Sequence, residues 1–216
     1  MTTATMPPPT TTLPRHEPMM LDWLLPDFDA TLIEHRVLDG DPRSVYRAAT
    51  TVDLAEIGRS NPAVRALFAA RGAAQHLASA LLGRPAPRPE PAEPIRLGDM
   101  PKHGDWVKLS DDPPWEFSFG VIGRFWGGDT VWEPIDAADF AAFEEPGFAK
   151  IACSVSLRPY GSVRTLVSYE ARTQALDPES RAAFLRYWRL VRPGVSIVMR
   201  AFLHAVAEEV RDAAAP

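Results

Sequence analysis

Proline is the residue that most restricts how this chain can fold. The sequence has 22 prolines in 216 residues, about twice what an average usage of roughly 5% would give. Five of them lie in residues 1–18 and five more in residues 85–94. Because both tracts are poor in large apolar residues, they cannot offset the entropy lost on ordering. We therefore expect a disordered tail over 1–18, a proline-rich surface loop over 84–94, and a single folded domain over 19–216.

Charge and cysteine content exclude several classes of protein. A net charge of −5 with scattered arginines argues against nucleic-acid binding, which usually needs a basic face. The single cysteine, Cys153, excludes an internal disulfide framework and any zinc site built from several cysteines. The first residues have neither the basic nor the apolar segment of a secretory signal, and no stretch reaches the ~18 apolar residues of a membrane span. We expect a cytoplasmic protein without membrane span, metal or cofactor, either monomeric or homodimeric.

The spacing of apolar residues predicts an α+β order of elements. Residues 30–38 alternate as a strand does. Two helices follow, over 42–51 and 62–82, each opened by a capping residue and a proline. A short helix is predicted over 136–144. The remaining middle of the chain is predicted to be β, in the segments 95–99, 106–109, 115–126, 130–135, 149–158 and 162–174.

Three of these segments alternate between apolar and polar residues. Their apolar positions include Phe117 and Phe119, then Ile151 and Cys153, then Val167 and Tyr169. Such alternation is typical of an antiparallel sheet with one covered face and one face in water. The polar positions in between include Lys150, Ser154, Ser156, Glu170 and Arg172, which we expect on the wet face.

The chain ends in a helical region. Asp177 and Pro178 form a start signal. Pro193-Gly194 predicts a kink or break, with a second helix over about 195–212. The apolar stripe of this region includes Trp188, Met199 and Phe202.

Two stretches of the sequence resemble a known superfamily. They are GVIGRFW over 120–126 and YEARTQALDPESRAAFLRYWRLVRPG over 169–194, which resemble uncharacterised bacterial members of the SRPBCC, or START-like, superfamily. The residues that carry the likeness are Glu170, Arg172, Asp177, Ser180, Arg181, Phe184, Tyr187 and Trp188. The resemblance implies a helix-grip fold, in which a curved antiparallel sheet wraps around a long C-terminal helix with an apolar cavity between them. The superfamily includes lipid carriers, hormone receptors and polyketide cyclases.

Most of the candidate ligand-binding residues are in phase with the predicted covered faces, and Arg124 is a candidate because a guanidinium can bind a ligand carboxylate. His35 shares the phase of Ile33 and Val37 and is either a hydrogen-bonded core imidazole or a general base. Cys153 is either a small buried hydrophobe or a nucleophile that lacks a nearby base in the sequence. The full set is His35, Trp115, Phe117, Phe119, Arg124, Trp126, Cys153, Tyr169, Trp188, Met199 and Phe202.

Three hypotheses for function follow. The first is non-enzymatic binding of a small hydrophobic or amphipathic molecule in a cavity between the sheet and the C-terminal helix, because no catalytic constellation is recognisable. The second is an enzyme like a polyketide cyclase or dehydratase, which would use a cavity His, Tyr or Arg to polarise a carbonyl. The third is a structural or interaction protein whose core is filled by side chains.

Overall fold

One antiparallel sheet and one long helix organise the molecule. The computed structural model describes residues 18–66, 69, 96, 98–99, 105–126 and 130–214. Within these, the strand order is β1-β6-β5-β3-β2, with β4 pairing β3. The strands are β1 Ala30–Asp39, β2 Val107–Asp112, β3 Glu116–Arg124, β4 Val131–Glu133, β5 Ala149–Tyr160 and β6 Arg164–Ala175, and the helices are α1 Met20–Leu24, α2 Pro42–Thr51, α3 Leu54–Ser60 and α4 Pro178–Ala214. The α+β class is therefore confirmed.

The inner face of the sheet is the face that packs against α4. Cross-strand register places Phe119 opposite Cys153, and Cys153 opposite Ala171, so one row of side chains runs across three strands on this face. These residues join Phe202 and Val206 of α4 in one apolar cluster. The alternation in β3, β5 and β6 thus identified the covered face correctly.

The outer face is covered as well, and the prediction that it lies in water is wrong for its centre. A second apolar cluster packs against this face. It contains Leu21 of helix α1, Leu25 just after that helix, and Phe140 from the segment before β5. Polar side chains beneath them are buried: Lys150 donates from Nζ to the Ala141 carbonyl at 3.1 Å. Burial also lowers the pKa of Lys150, although Glu144 opposes this. The polar residues at the centre of the outer face therefore lie beneath a second layer of the protein and not in water.

The capping signals placed the start of α2 correctly. Asp41 accepts hydrogen bonds from the backbone N–H of Arg43 and Ser44, and Pro42 is the first helical residue. Of the helix predicted over 62–82, residues 62–66 are helical and most of the rest lies outside the described residues. The tail and the proline-rich loop at 84–94 also fall outside them, apart from Pro18.

Helix α4 is continuous over 37 residues, so the chain does not break into two helices at Pro193-Gly194, and the alternative, a kink there, stays a prediction. Proline removes the N–H that would bond to the carbonyl of Arg189 four residues earlier. Arg189 and Pro193 are both exposed, so water can satisfy that carbonyl.

By length and composition helix α4 could also cross a membrane. The core helix of a globular protein meets the same criterion, and 39% of the most apolar 18-residue stretch of α4 is buried in the protein.

Two of the shorter predicted elements differ from the structure. Residues 136–144 form successive turns, closed by hydrogen bonds from Asp139 N–H to the Asp136 carbonyl and from Ala142 N–H to the Asp139 carbonyl, so the short helix is wrong. In the predicted strand 95–99, Arg96 makes an isolated bridge to Asp53.

Candidate functional site

The inner face of the sheet brings several of the candidate residues together. Phe117 and Phe119 are two residues apart on β3, so both point inward, and their rings stack at 6.5 Å between centroids. Tyr46 of α2 meets Phe117 edge-on at 5.7 Å. Trp106 meets Phe119 at 5.4 Å. These contacts are those of a packed aromatic core.

Tyr169 carries a polar group on the inner face, between Glu34 of β1 and Val155 of β5 in the register. Its ring lies 5.3 Å from that of Phe202 in α4, at a steep angle. The hydroxyl forms no hydrogen bond with any residue in the described part of the chain, and the side chain is only half-buried. Burial, and then the neighbouring Cys153, raise the pKa of Tyr169 well above its ordinary value. The hydroxyl therefore stays protonated at neutral pH and is available to donate one hydrogen bond.

Cys153 does not have the properties of a nucleophile. It is buried on β5 between Phe119 and Ala171. Burial, with a contribution from the charge of Glu170, raises the pKa of its thiol to about 12. Because the thiolate is the reactive form, Cys153 acts here as a small apolar core residue.

A polar group that the sequence pattern missed lies beside Tyr169. Glu34 of β1 is directly opposite Tyr169 in the register and so points to the inner face. Its Oε1 accepts hydrogen bonds from Ser196 Oγ at 2.5 Å and from Arg200 Nε at 2.9 Å, both on α4. Burial opposes ionisation of Glu34, but these hydrogen bonds and the charge of Arg200 outweigh it and lower the pKa. No local signal could identify this group, because its partners are more than 160 residues away in the sequence.

Trp126 and Trp188 form part of a second aromatic group at the start of α4. Phe184 is fully buried at its centre, 6.3 Å from Trp126 and 6.1 Å from Trp188 between ring centroids. Phe125 also contacts Phe184, at 5.9 Å. Trp126 and Trp188 remain half-buried, so they border this group on its solvent side.

The apolar inner face is incompletely covered. Ile151, Tyr169 and Ala171 are near neighbours on β5 and β6, and all three are only half-buried although they pack against the core. On α4, Val195 precedes the buried Met199 by one turn, and Trp188 precedes Val195 by two, so these residues share one stripe. Both Trp188 and Val195 are also half-buried. We call these five half-buried residues the inner strip: Ile151, Tyr169, Ala171, Trp188 and Val195.

Three of the predicted site residues lie elsewhere. His35 is exposed on the outer face and shares a hydrogen bond of 2.8 Å between its Nδ1 and Ser168 Oγ, so the expectation that it faces the cavity is wrong. Arg124 is exposed at the end of β3, with the phase of outward-pointing Ile122. Trp115 belongs to the turn before β3 and is 39% exposed.

Arg172 and Glu170 form an ion pair on the outer face, and Asp22 is its third member. Arg172 Nε donates to Glu170 at 2.7 Å, and a second guanidinium nitrogen donates to Asp22 of α1 at 2.7 Å. Arg181 of α4 pairs separately with Asp29. The guanidinium of Arg172 therefore ties α1 to the sheet, and each of its three nitrogens already donates within the protein.

One pocket of about 30 Å³ lies at the other end of the inner face, lined by Thr50, Gly98, Lys108, Asp111, Phe117, Ser118 and Phe119. One water molecule needs about 10–15 Å³ of such space. The pocket therefore has room for water but not for an organic ligand. Within the described ranges, no group of three or more His, Cys, Asp and Glu side chains is arranged to hold a metal ion.

Comparison with known proteins leaves the family open. No family model matches this chain, and no curated protein matches it. Among solved structures, it is similar to a protein from Mesorhizobium loti (14% identity, 87% of this chain and 100% of that chain, TM-score 0.38). It is also similar to a conserved protein from Geobacillus kaustophilus (12% identity, 85% and 96%, TM-score 0.38) and to CalU16 from Micromonospora echinospora (13% identity, 84% and 88%, TM-score 0.27). By its own structure the chain is an α+β protein, and its described residues form a six-stranded antiparallel sheet and a long C-terminal helix.

Proposed function

We propose that this chain is a helix-grip, START-like protein that binds a small hydrophobic or amphipathic molecule between its sheet and α4, without catalysis. The observation that carries the proposal is the inner strip, an apolar surface on sheet and helix that the protein's own side chains leave half-buried. Apolar surface of this kind gains roughly 25 cal/mol for each Å² removed from water. A ligand that completes its burial would therefore be held mainly by the hydrophobic effect.

The Tyr169 hydroxyl gives the proposed site its polar contact. Pockets for small molecules are usually apolar with a few fixed polar groups that set the orientation of the ligand. Tyr169 projects from the inner strip without a hydrogen-bond partner among the described residues. It would donate to a carbonyl, carboxylate or hydroxyl oxygen of the ligand, with Glu34 and Arg200 at the adjacent β1 edge.

The catalytic alternative has lost most of its candidates. It needed a His, Tyr or Arg on the inner face to polarise a carbonyl and move a proton. His35 and Arg124 lie outside that face, and the Cys153 thiol remains protonated. Of the candidates predicted from the sequence, Tyr169 remains on the inner face, and the Glu34 carboxylate beside it is already bonded to Ser196 and Arg200. One available donor orients a ligand more readily than it completes an acid–base pair.

A fluorescence titration tests the proposal. The probe is 11-(dansylamino)undecanoic acid, with decanoic acid, a sterol and an anthraquinone as competitors. Ala171→Phe fills the inner strip, and Ala182→Phe makes the same change at an exposed position of α4. We expect binding to the wild type and to Ala182→Phe, and at least tenfold weaker binding to Ala171→Phe, with circular dichroism showing that both variants are folded. Equal affinity for the three proteins, or no binding of any probe, would refute the proposal.

A further inference from the structure

Strand β1 forms one edge of the sheet. It is ten residues long and pairs on one side with β6 along its whole length. Among the described residues no strand pairs with its other side. A long edge strand with free N–H and C=O groups is a template for pairing with another strand, so the surroundings of this edge decide what it can accept.

The outer side of β1 is unusually apolar for an exposed surface. Ile33 and Val37 point outward from it and are 42% and 38% exposed. Phe28, which stacks on Arg172 on the same face, is 41% exposed. Exposed apolar side chains grouped beside a strand edge indicate a surface that another protein covers.

The inward-pointing residues of β1 carry charges that complement each other. Glu34 and Arg36 are two positions apart and share the inner face. Arg36 is exposed, and its side chain makes no ion pair with any described residue. In an antiparallel pair of two identical strands, facing residues must point to the same side of the sheet. Only a few registers therefore bring the middles of the two strands together.

We propose that two copies of this chain associate through antiparallel pairing of their β1 strands, with the two-fold axis at His35. In this register Glu34 of each copy faces Arg36 of the other, and Ile33 of each faces Val37 of the other. Moving the axis one residue in either direction places Glu34 opposite Glu34, or Arg36 opposite Arg36, and like charges directly opposite destabilise a sheet. Among the three registers that centre the pairing on residues 34–36, the sequence of the strand thus favours this one.

Helix α4 supplies a contact on the inner side of the proposed interface. It lies close to β1, because Ser196 and Arg200 both bond to Glu34. Ile197, next to Ser196, is 36% exposed. Since Glu34 is one residue from the proposed axis, the α4 helices of the two copies would approach each other there, and Ile197 would be covered between them. The interface is then apolar on both sides of the paired strands.

Charged residues on an edge strand can also protect it from pairing, and this is the competing interpretation. A protective pattern repels a second copy in every register. Here opposite charges two residues apart attract in the register that also pairs Ile33 with Val37. The two interpretations predict different oligomeric states, a dimer and a monomer.

The first test compares Arg36→Glu with Arg47→Glu, an identical charge change at an exposed position of α2. Arg36→Glu places a carboxylate opposite Glu34 twice in the dimer. We expect sedimentation equilibrium to show a dimer for the wild type and for Arg47→Glu. For Arg36→Glu we expect at least a roughly tenfold higher dissociation constant, with an unchanged circular dichroism spectrum. A monomeric wild type, or an equally stable Arg36→Glu dimer, would overturn the proposal.

The second test reads the register directly. The Cα atoms of facing antiparallel residues are about 4.5–5.5 Å apart, which is within the range of a disulfide. His35→Cys should therefore form a covalent dimer on mild oxidation. In Val37→Cys the two new thiols are offset by four residues, or about 13 Å at ~3.3 Å per residue, and should not join. Equal cross-linking of the two variants, or none in His35→Cys, would rule out this register.

Discussion

Replacement of Arg172 by methionine should strongly destabilise the fold. The guanidinium bonds to Glu170, to Asp22 and, at 3.2 Å, to the backbone carbonyl of Leu25. The side chains of Arg172 and Glu170 are only 10% and 11% exposed. Removing one partner of a buried pair typically costs about 3–5 kcal/mol because the other charge is left unpaired. Asp22 is 38% exposed and regains water, so we expect a loss of about 3 kcal/mol, at the lower end of that range.

Urea unfolding followed by circular dichroism measures this loss. Glu170→Gln in the Arg172→Met background removes the stranded carboxylate, and we expect it to recover about 1–2 kcal/mol. Arg186→Met, at an exposed position of α4, is the control and should change the free energy of unfolding by less than about 0.5 kcal/mol. A cost below about 1 kcal/mol for Arg172→Met, or no recovery in the double variant, would show that the pair is not a buried electrostatic anchor.

Three further predictions concern single positions. Cys153 should react with Ellman's reagent at pH 8 only after unfolding, because burial raises its pKa to about 12; rapid labelling of the native protein would contradict this. Hydrogen bonds from Ser180, Gly147 and Glu179 lower the pKa of Asp177 to about 2, below the ordinary ~3.9. The stability that this carboxylate adds is therefore complete above about pH 4 and lost toward pH 2, so Asp177→Asn should lose less stability than the wild type between these values in acid titrations. Gly120→Ala should lower the free energy of unfolding in urea by about 1–3 kcal/mol, since its Cβ would lie 2.7 Å from Leu109 and 2.8 Å from Phe140. An unchanged free energy of unfolding would mean that those side chains move aside without cost.

The strands of the sheet could be predicted because their side chains alternate. In β5, Cys153 and Val155 are apolar and inward, while Ser154 is polar and outward, and the structure has the same arrangement. The start of α2 could also be predicted, because Asp41 and Pro42 are a local signal for a helix start. Both are short-range patterns, and each is decided by a few neighbouring residues.

The orientation of β1 could not be predicted in the same way. Its two faces are both apolar in part, with Leu32 and Leu38 on one and Ile33 and Val37 on the other. Because side chains alternate with a period of two along a strand, the sequence pattern cannot show which of two partly apolar faces is buried. The structure buries Leu32 and Leu38, which turns His35 outward and removes it from the site.

The cover on the outer face was also beyond prediction from the sequence. Helix α1 has only five residues, too few to show a periodic pattern. Its position depends on Asp22 meeting Arg172 and on Met20 N–H meeting Glu116, contacts that join distant parts of the chain. The polar residues on β3, β5 and β6 are therefore predicted to be exposed, because the sequence does not show that α1 covers them.

The position of the ligand is the most direct test of the proposed function. Methyl-labelled protein is titrated with decanoic acid, and the isoleucine, alanine and methionine resonances are followed by NMR. We expect concentration-dependent shifts at Ile151, Ala171 and Met199, on the inner side, and none at Ile33 on the outer face. Shifts confined to Ile33, or no change at Ile151 and Ala171 with the ligand at its solubility limit, would contradict binding between the sheet and α4.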